Sequence, residues 1–180
     1  MGVTTQLPVL KSKALWAWYG IALLAIALDQ ATKVWAEAAL SNGEVIVITG
    51  FFRLELAYNT GAAFSLLYDA GGWQRWLLSG LALVVSAGIA IWIARLVAAN
   101  TSQRRWELLA LSLILGGAIG NLYDRIALGH VIDFVVWHYG RYQWPTFNIA
   151  DSAICVGAGL LIFDMLFVQP RQSKTQVNSN

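Results

Sequence analysis

The sequence predicts an all-α membrane protein with four transmembrane helices, a small extracytoplasmic β-sheet and a short interfacial helix. Of its 180 residues, 58% are hydrophobic and only 12% are charged, and the mean hydropathy is +0.58. These values are typical of polytopic membrane proteins and lie outside the range of soluble domains. Four stretches are apolar enough to cross about 30 Å of hydrocarbon. They lie at about residues 14–32, 76–94, 108–123 and 152–168, and we expect one integral-membrane domain over residues 1–180.

The basic residues predict how the chain is oriented in the membrane. Lysines and arginines concentrate between the second and third stretches, at residues 95–105, and in the polar tails at residues 1–13 and 170–180. The positive-inside rule therefore places both termini in the cytoplasm. Two longer loops, at about residues 33–75 and 124–151, then face outward. The net charge of +2 reflects this topology and gives no sign of nucleic-acid binding.

The first outer loop carries the signals for the small sheet and the interfacial helix. Between residues 44 and 58, apolar side chains such as Phe52 and Leu54 alternate with Arg53 and Glu55. Period-two alternation of this kind is typical of a half-buried strand. Residues 62–68 are predicted to form the short interfacial helix before a pair of glycines.

Two aspartates stand out because apolar sequence surrounds them at the predicted membrane boundary. Asp133 lies within the apolar run from His130 to Trp137, and Asp151 opens the last hydrophobic stretch. Ionisable residues in such places are functional candidates by default. If the two carboxyl groups lie close together, they cannot both ionise easily, and one holds a proton near neutral pH. Such a pair can activate water and protonate a leaving amine, which is the chemistry of peptide hydrolysis.

Other polar residues accompany these aspartates. Asp29 and Lys33 are four residues apart on one helix face, which suits either a simple ion pair or an organiser of a site. Asn121 and Arg125 also share a face beside Asp124, after a glycine-rich stretch that allows close helix packing. Their amide and guanidinium groups suit backbone carbonyls or lipid ester oxygens.

Asn148 precedes Asp151 by three residues, which is the spacing of a helix N-cap followed by a first-turn acid. The cap interpretation and a catalytic role for Asp151 are compatible.

Other hydrolytic mechanisms find no support in the sequence. The zinc-peptidase motif His-Glu-x-x-His is absent, and His130 and His138 have no matching ligand cluster. A serine nucleophile motif is also absent, and the single cysteine, Cys155, has no evident activating base. We therefore expect no metal and no cofactor.

Five ordered motifs together resemble those of the bacterial signal peptidase II family, over about residues 16–168. Any one of them alone would be weak, whereas all five in order, combined with four suitably spaced spans, are specific. The motifs are Asp29-Gln-Ala-Thr-Lys33, Asn59-Thr-Gly-Ala-Ala-Phe-Ser65, Gly116-Gly-Ala-Ile-Gly-Asn-Leu-Tyr-Asp-Arg125, Val131-Ile-Asp-Phe134 and Phe147-Asn-Ile-Ala-Asp151.

This resemblance implies an aspartic endopeptidase of the bacterial cytoplasmic (inner) membrane, with its site near the extracytoplasmic face. Its substrates would be prolipoproteins that carry diacylglyceryl, and globomycin-type cyclic peptides would inhibit it. Membrane lipid is the other expected partner, nucleic acid is not expected, and the chain would act as a monomer. By motif, the resemblance assigns catalysis to Asp133 and Asp151, substrate binding to Asn59, Asn121, Arg125 and Asn148, and a supporting role to Asp29, Lys33 and Asp124.

Two other function classes compete with the peptidase. A small proton-coupled transporter could use Asp29, Asp124, Asp133, Asp151 and Asp164 as a relay. Transporters, however, place their sites near the membrane midplane and often contain internal repeats, and neither feature is found in the sequence. A non-catalytic assembly module could use the glycine-rich face, but it gives no reason for two outer aspartates.

Overall fold

The computed structural model describes residues 12–61, 71–99 and 104–169. The predicted interfacial helix at residues 62–68 and nearly all of the two polar tails lie outside the described residues.

Within the described ranges, four long helices form the body of the protein, as the sequence predicts, and all four are long and apolar enough to cross a membrane. The fourth continues into a short π-helical turn, Asp164–Val168. The helices are α1 (Lys13–Leu40), α2 (Trp73–Ala98), α3 (Arg105–Ala127) and α4 (Ile149–Phe163).

The helices extend beyond the apolar stretches from which they were predicted. Helix α1 runs past residue 32 to Leu40, so the start of the predicted outer loop is helical. Asp124 and Arg125 lie in the last turns of α3, and Asp151 lies in the first turn of α4. Asp124 and Arg125 were predicted to lie in the second outer loop. The length of an apolar stretch indicates only the part of a helix that lies in hydrocarbon. The ends of α1 and α3 that approach the sheet carry buried polar side chains, among them Lys33 and Asp124.

Helix α3 lies at the centre and contacts α1, α2 and α4. Its glycines permit this close packing, since a Cβ added at Gly117 would collide with the carbonyl oxygen of Ala150 at the start of α4. A Cβ at Gly120 would lie 2.6 Å from Oδ2 of Asp29 on α1. The interpretation of this stretch as a close-packing surface is therefore confirmed.

A hydrophobic core joins α1, α2 and α3 through residues such as Leu15, Ile93 and Leu111. The hydroxyl of Tyr19 on α1 also donates a 2.9 Å hydrogen bond to the carbonyl of Ala90 on α2. Most of the remaining surface of α2 consists of exposed apolar side chains, as expected for a helix that faces lipid.

The outer loops contribute one antiparallel sheet with the strand order β1-β2-β3-β4. Strands β1 (Val45–Thr49) and β2 (Phe52–Asn59) form an antiparallel hairpin in the segment where the alternation predicts a half-buried strand and a small sheet. Strand β3 (Val131–Tyr139) pairs with β2, and the two-residue β4 (Tyr142–Gln143) pairs with β3. The first four residues of β3 are buried, and Phe134 packs against Ala36 and Leu40 of α1.

Candidate active site

Asp133 is the third residue of β3, and its side chain is only 2% exposed. One carboxylate oxygen accepts a 2.7 Å hydrogen bond from Nδ2 of Asn148, and the other accepts one of 3.1 Å from Nδ2 of Asn59. Asn59 reaches it because the last residues of β2 pair with the first residues of β3. The sheet therefore carries this carboxyl group into the protein and, through Asn59, provides a donor to it.

The pKa of Asp133 is raised from 3.8 to about 7. Burial makes the largest contribution, and the negative charge of Asp151 adds to it. The hydrogen bonds from Asn59 and Asn148 and the positive charge of Lys33 oppose this rise. Asp133 therefore exchanges its proton close to neutral pH, which suits a general acid–base group.

Asp151 lies in the first turn of α4 beside Asn148, the N-cap. The Asn148 side chain accepts a 2.9 Å hydrogen bond from the backbone N–H of Asp151, and the Asp151 carboxylate accepts one of 3.3 Å from the backbone N–H of Asn148. This reciprocal capping box confirms the cap interpretation. The second oxygen of Asp151 accepts a 2.8 Å hydrogen bond from Nδ2 of Asn121 on α3.

Asn148 links the two aspartates because its side chain contacts both residues. Its Oδ1 binds the backbone of Asp151, while its Nδ2 donates to Asp133. The same Nδ2 lies 3.1 Å from Oδ1 of Asn121 and 3.2 Å from the carbonyl oxygen of Ile132. Asn148 is fully buried, so the strand and helix that carry the two carboxyl groups meet at one rigid amide.

Lys33 occupies the centre of a buried charge cluster beside this pair. Its ammonium group lies 2.8 Å from Oδ2 of Asp29, 2.7 Å from Oδ2 of Asp124 and 3.0 Å from Oδ1 of Asn121. These three acceptors match the three N–H bonds of an ammonium group. The predicted Asp29–Lys33 ion pair is present, and Asp124 completes it as a third charged member.

Arg125 extends from α3 towards Gly61, which lies just after strand β2. Its Nη2 donates a 3.1 Å hydrogen bond to the carbonyl oxygen of Gly61, and its Nη1 donates one of 3.3 Å to the carbonyl oxygen of Asn121. The guanidinium group thus binds backbone carbonyls, which is the chemistry that its sequence position suggested. Among the described residues, its buried Nε has no hydrogen-bond partner.

The structure brings all nine predicted site residues into one connected region where α1, α3, α4 and the sheet meet. Sequence reasoning missed Gln30, which hydrogen-bonds to Asp124, and the backbone N–H groups of Ile132 and Ala150. Gln30 lies inside the first motif, but nothing in its residue type distinguished it from a side chain facing lipid. Over the three described ranges, no group of three or more His, Cys, Asp or Glu residues could hold a metal ion.

The chain is similar to known proteins over most of its length. A family model described as signal peptidase (SPase) II matches residues 21–167. A lipoprotein signal peptidase of Teredinibacter turnerae is 56% identical over 150 residues, covering 83% of this chain and 87% of its own. One from Cellvibrio japonicus is 50% identical over 165 residues, covering 92% and 94% of the two chains.

Solved structures agree with the fold. A structure described as a bacterial membrane enzyme determined by the in meso method at 2.3 Å resolution aligns with a TM-score of 0.69 at 25% identity. The alignment covers 83% of this chain and 87% of that chain. A second structure with the same description, at 1.9 Å resolution, gives a TM-score of 0.68 at 25% identity and covers 84% and 93% of the two chains. These similarities give no support to the transporter alternative.

Proposed function

Because the chain belongs to the signal peptidase II family, we propose that Asp133 and Asp151 form the catalytic dyad with which it removes signal peptides from prolipoproteins. The chain is an aspartic peptidase and a multi-pass bacterial membrane protein. The observation that carries the dyad assignment is the link through Asn148, which joins two carboxyl groups of which one, Asp133, has a pKa of about 7. Coupled carboxyl groups of this kind hold one proton between them near neutral pH.

In the proposed mechanism, Asp133 begins as the protonated member and Asp151 as the ionised member. Asp151 takes a proton from water as the water oxygen attacks the scissile carbonyl carbon, and Asp133 gives its proton to the carbonyl oxygen. The tetrahedral intermediate then collapses when the C–N bond breaks. Asp151 returns the proton to the leaving amine, and Asp133 recovers its own proton as the carboxylic acid product forms.

The substrate backbone would be held by the polar side chains around the dyad. Asn59, Asn121 and Asn148 each place an amide beside one of the catalytic carboxyl groups. Arg125 already binds the backbone carbonyl of Gly61, and its Nε has no partner within the part of the chain that the structure describes, so it is suited to bind a carbonyl of a substrate peptide. A supporting role falls to Asp29, Lys33 and Asp124. They bind Asn121 and the backbone next to the two aspartates.

The substrate is proposed to be a prolipoprotein that carries diacylglyceryl, with its acyl chains remaining in the bilayer. Each buried CH₂ group of those chains contributes about 0.8 kcal/mol of binding. We further propose that both termini are cytoplasmic, that the dyad lies near the extracytoplasmic face, and that the chain acts as a monomer. Globomycin-type cyclic peptides should compete for the same polar groups.

Cleavage by purified protein in lipid nanodiscs tests this proposal. We expect the protein to release the signal peptide from a diacylated prolipoprotein. The cleavage rate should be lower by about tenfold or more on the same prolipoprotein substrate without its diacylglyceryl group. Asp133→Asn and Asp151→Asn should each lower kcat by about 10²–10⁴-fold, because each removes a general acid–base group. Asp164→Asn is the matched control, since it removes a buried carboxyl group from the opposite end of the fourth helix. An active Asp133→Asn or Asp151→Asn variant would refute the dyad.

A further inference from the structure

Two of the buried carboxylates behind the dyad, Asp29 and Asp124, face the same lysine. Both are fully buried, and Lys33 donates to one oxygen of each. Lys33 reaches only one oxygen of each carboxylate, and buried carboxylate oxygens are costly unless further donors satisfy them.

Gln30 provides such a donor. Its Nε2 lies 2.9 Å from Oδ1 of Asp124 and 3.2 Å from Oδ2 of Asp29, and it also lies 3.4 Å from the carbonyl oxygen of Gly120. Among the described residues, Lys33 and Gln30 are the two whose side chains donate to both carboxylates. Because the glutamine amide is neutral, it holds the two acids without adding a charge to the cluster.

Each of these acids also binds the backbone next to a dyad residue. Oδ1 of Asp29 accepts a 2.9 Å hydrogen bond from the N–H of Ala150, the residue before Asp151. Oδ2 of Asp124 accepts a 3.3 Å hydrogen bond from the N–H of Ile132, the residue before Asp133. Gln30 therefore contacts both the acid that binds the start of α4, Asp29, and the acid that binds the start of β3, Asp124.

We propose that Gln30 is a positioning residue that fixes the separation of Asp133 and Asp151 by holding Asp29 and Asp124 in place. This inference rests on the proposed dyad. Gln30 bonds to neither dyad carboxyl group, so it acts on the reaction through the two supporting acids and the backbone that they bind. Loss of its donors lets Asp124 and Asp29 move apart, and β3 and α4 move with them.

Gln30→Met tests this role because methionine keeps the length of the side chain and removes its donors. Misplacement of reacting groups by about 1 Å can cost about 10²-fold in rate, so a partial loss of support should lower kcat by about tenfold. KM should stay within about twofold of the wild-type value, because the substitution leaves the proposed substrate-binding residues unchanged. Gln74→Met is the matched control, since Gln74 is a buried glutamine on α2 whose side chain binds the backbone of Gly72.

Gln30→Glu adds a readout that a merely structural role would not move. A third carboxylate beside the cluster should raise the proton affinity of the dyad and shift the pH profile of kcat to higher pH. The charged groups around this position are Asp29 and Lys33 on α1, Asp124 and Arg125 on α3, Asp133 on β3, and Asp151 on α4.

The outcomes separate this inference from the proposed function. Wild-type kcat in Gln30→Met, or an equal loss in Gln74→Met, overturns the positioning role even if Asp133→Asn is inactive. A rise in KM at unchanged kcat also overturns it. If Gln30→Met does not fold, the pH profile of Gln30→Glu decides, and an unshifted profile overturns the role. Full activity in Asp133→Asn instead refutes the dyad itself.

Discussion

Asp133 couples the stability of the protein to pH because its folded pKa, about 7, lies above the ordinary value of 3.8. A raised carboxyl pKa means that the folded state binds the proton more tightly than the unfolded state. Its contribution to stability is therefore fully present below the unfolded pKa and is lost as pH rises through about 7. We predict that the wild-type Tm falls between pH 5 and pH 8, by about 2–4 °C for each kcal/mol lost.

Asp133→Asn, which cannot titrate, should show a smaller fall over the same range. Thermal unfolding in nanodiscs, followed by the fluorescence of the nine tryptophans, measures how Tm changes with pH in both proteins. An equal fall of Tm in the two proteins would mean that Asp133 does not titrate in this pH range.

Asn59 affects the pKa of the same carboxyl group, Asp133, through a hydrogen bond to its Oδ2. Its hydrogen bond stabilises the charged form and opposes the rise in the pKa of Asp133. Asn59→Ala should therefore raise this pKa further, by about one unit for the loss of a hydrogen bond to a charged group. Because Asp133 must hold a proton to act as the acid, the decline in kcat at high pH should move upward. A pH profile that stays in place or moves down would contradict this assignment.

The candidate site residues that the sequence could single out are those whose chemistry stands out against apolar surroundings. Asp133, Asp151 and Lys33 are conspicuous in such a chain, and the ordered motifs connected them. Gln30 carried no comparable signal, because a neutral side chain on a membrane helix can face lipid or protein. The backbone N–H groups of Ile132 and Ala150 leave no signature in a sequence at all.

Among the elements of the sheet, the half-buried strand in the first outer loop was predicted and the strand that carries Asp133 was not. The alternation between residues 44 and 58 follows a half-exposed strand, whose two faces differ in polarity. The start of β3 is buried on both faces, so its sequence is a continuous apolar run without periodicity. A run of this kind before Trp137 cannot be distinguished from a segment at the membrane boundary by its pattern alone.

The close packing of α3 against α1 gives a test at the same scale. Gly120→Ala would place a methyl group 2.6 Å from Oδ2 of Asp29, the residue that holds Lys33 and the N–H of Ala150. We predict a loss of about 1–3 kcal/mol in the free energy of unfolding, as for other overpacked positions, together with a lower kcat.

Gly88→Ala is the control for this substitution, since a Cβ at Gly88 meets nothing within 4 Å. It should leave stability unchanged or raise it slightly, because alanine favours a helix more than glycine does. Equal stability of the two variants would show that α3 and α1 are not tightly packed at Gly120.

At the scale of the whole molecule, four spans and the distribution of basic residues predict a single orientation. A reporter fused after Asn180 or inserted at residues 100–102 should be cytoplasmic, and one inserted near Asp69 should be external. These positions lie outside the described residues, so the prediction depends on the helices between them and on the arginines. External display of the reporter at residues 100–102 would invert the topology and place the dyad on the cytoplasmic side.

Above all, Asp133 and Asp151 are proposed to act as one unit. A double-mutant comparison of kcat on diacylated prolipoprotein tests it most directly, with Asp133→Asn, Asp151→Asn and the double variant measured beside wild type. Residues that act as a unit are strongly non-additive, so each single variant should lose about 10²–10⁴-fold and the double variant little more. Losses that multiply in the double variant, or a single variant with wild-type kcat, would contradict the dyad.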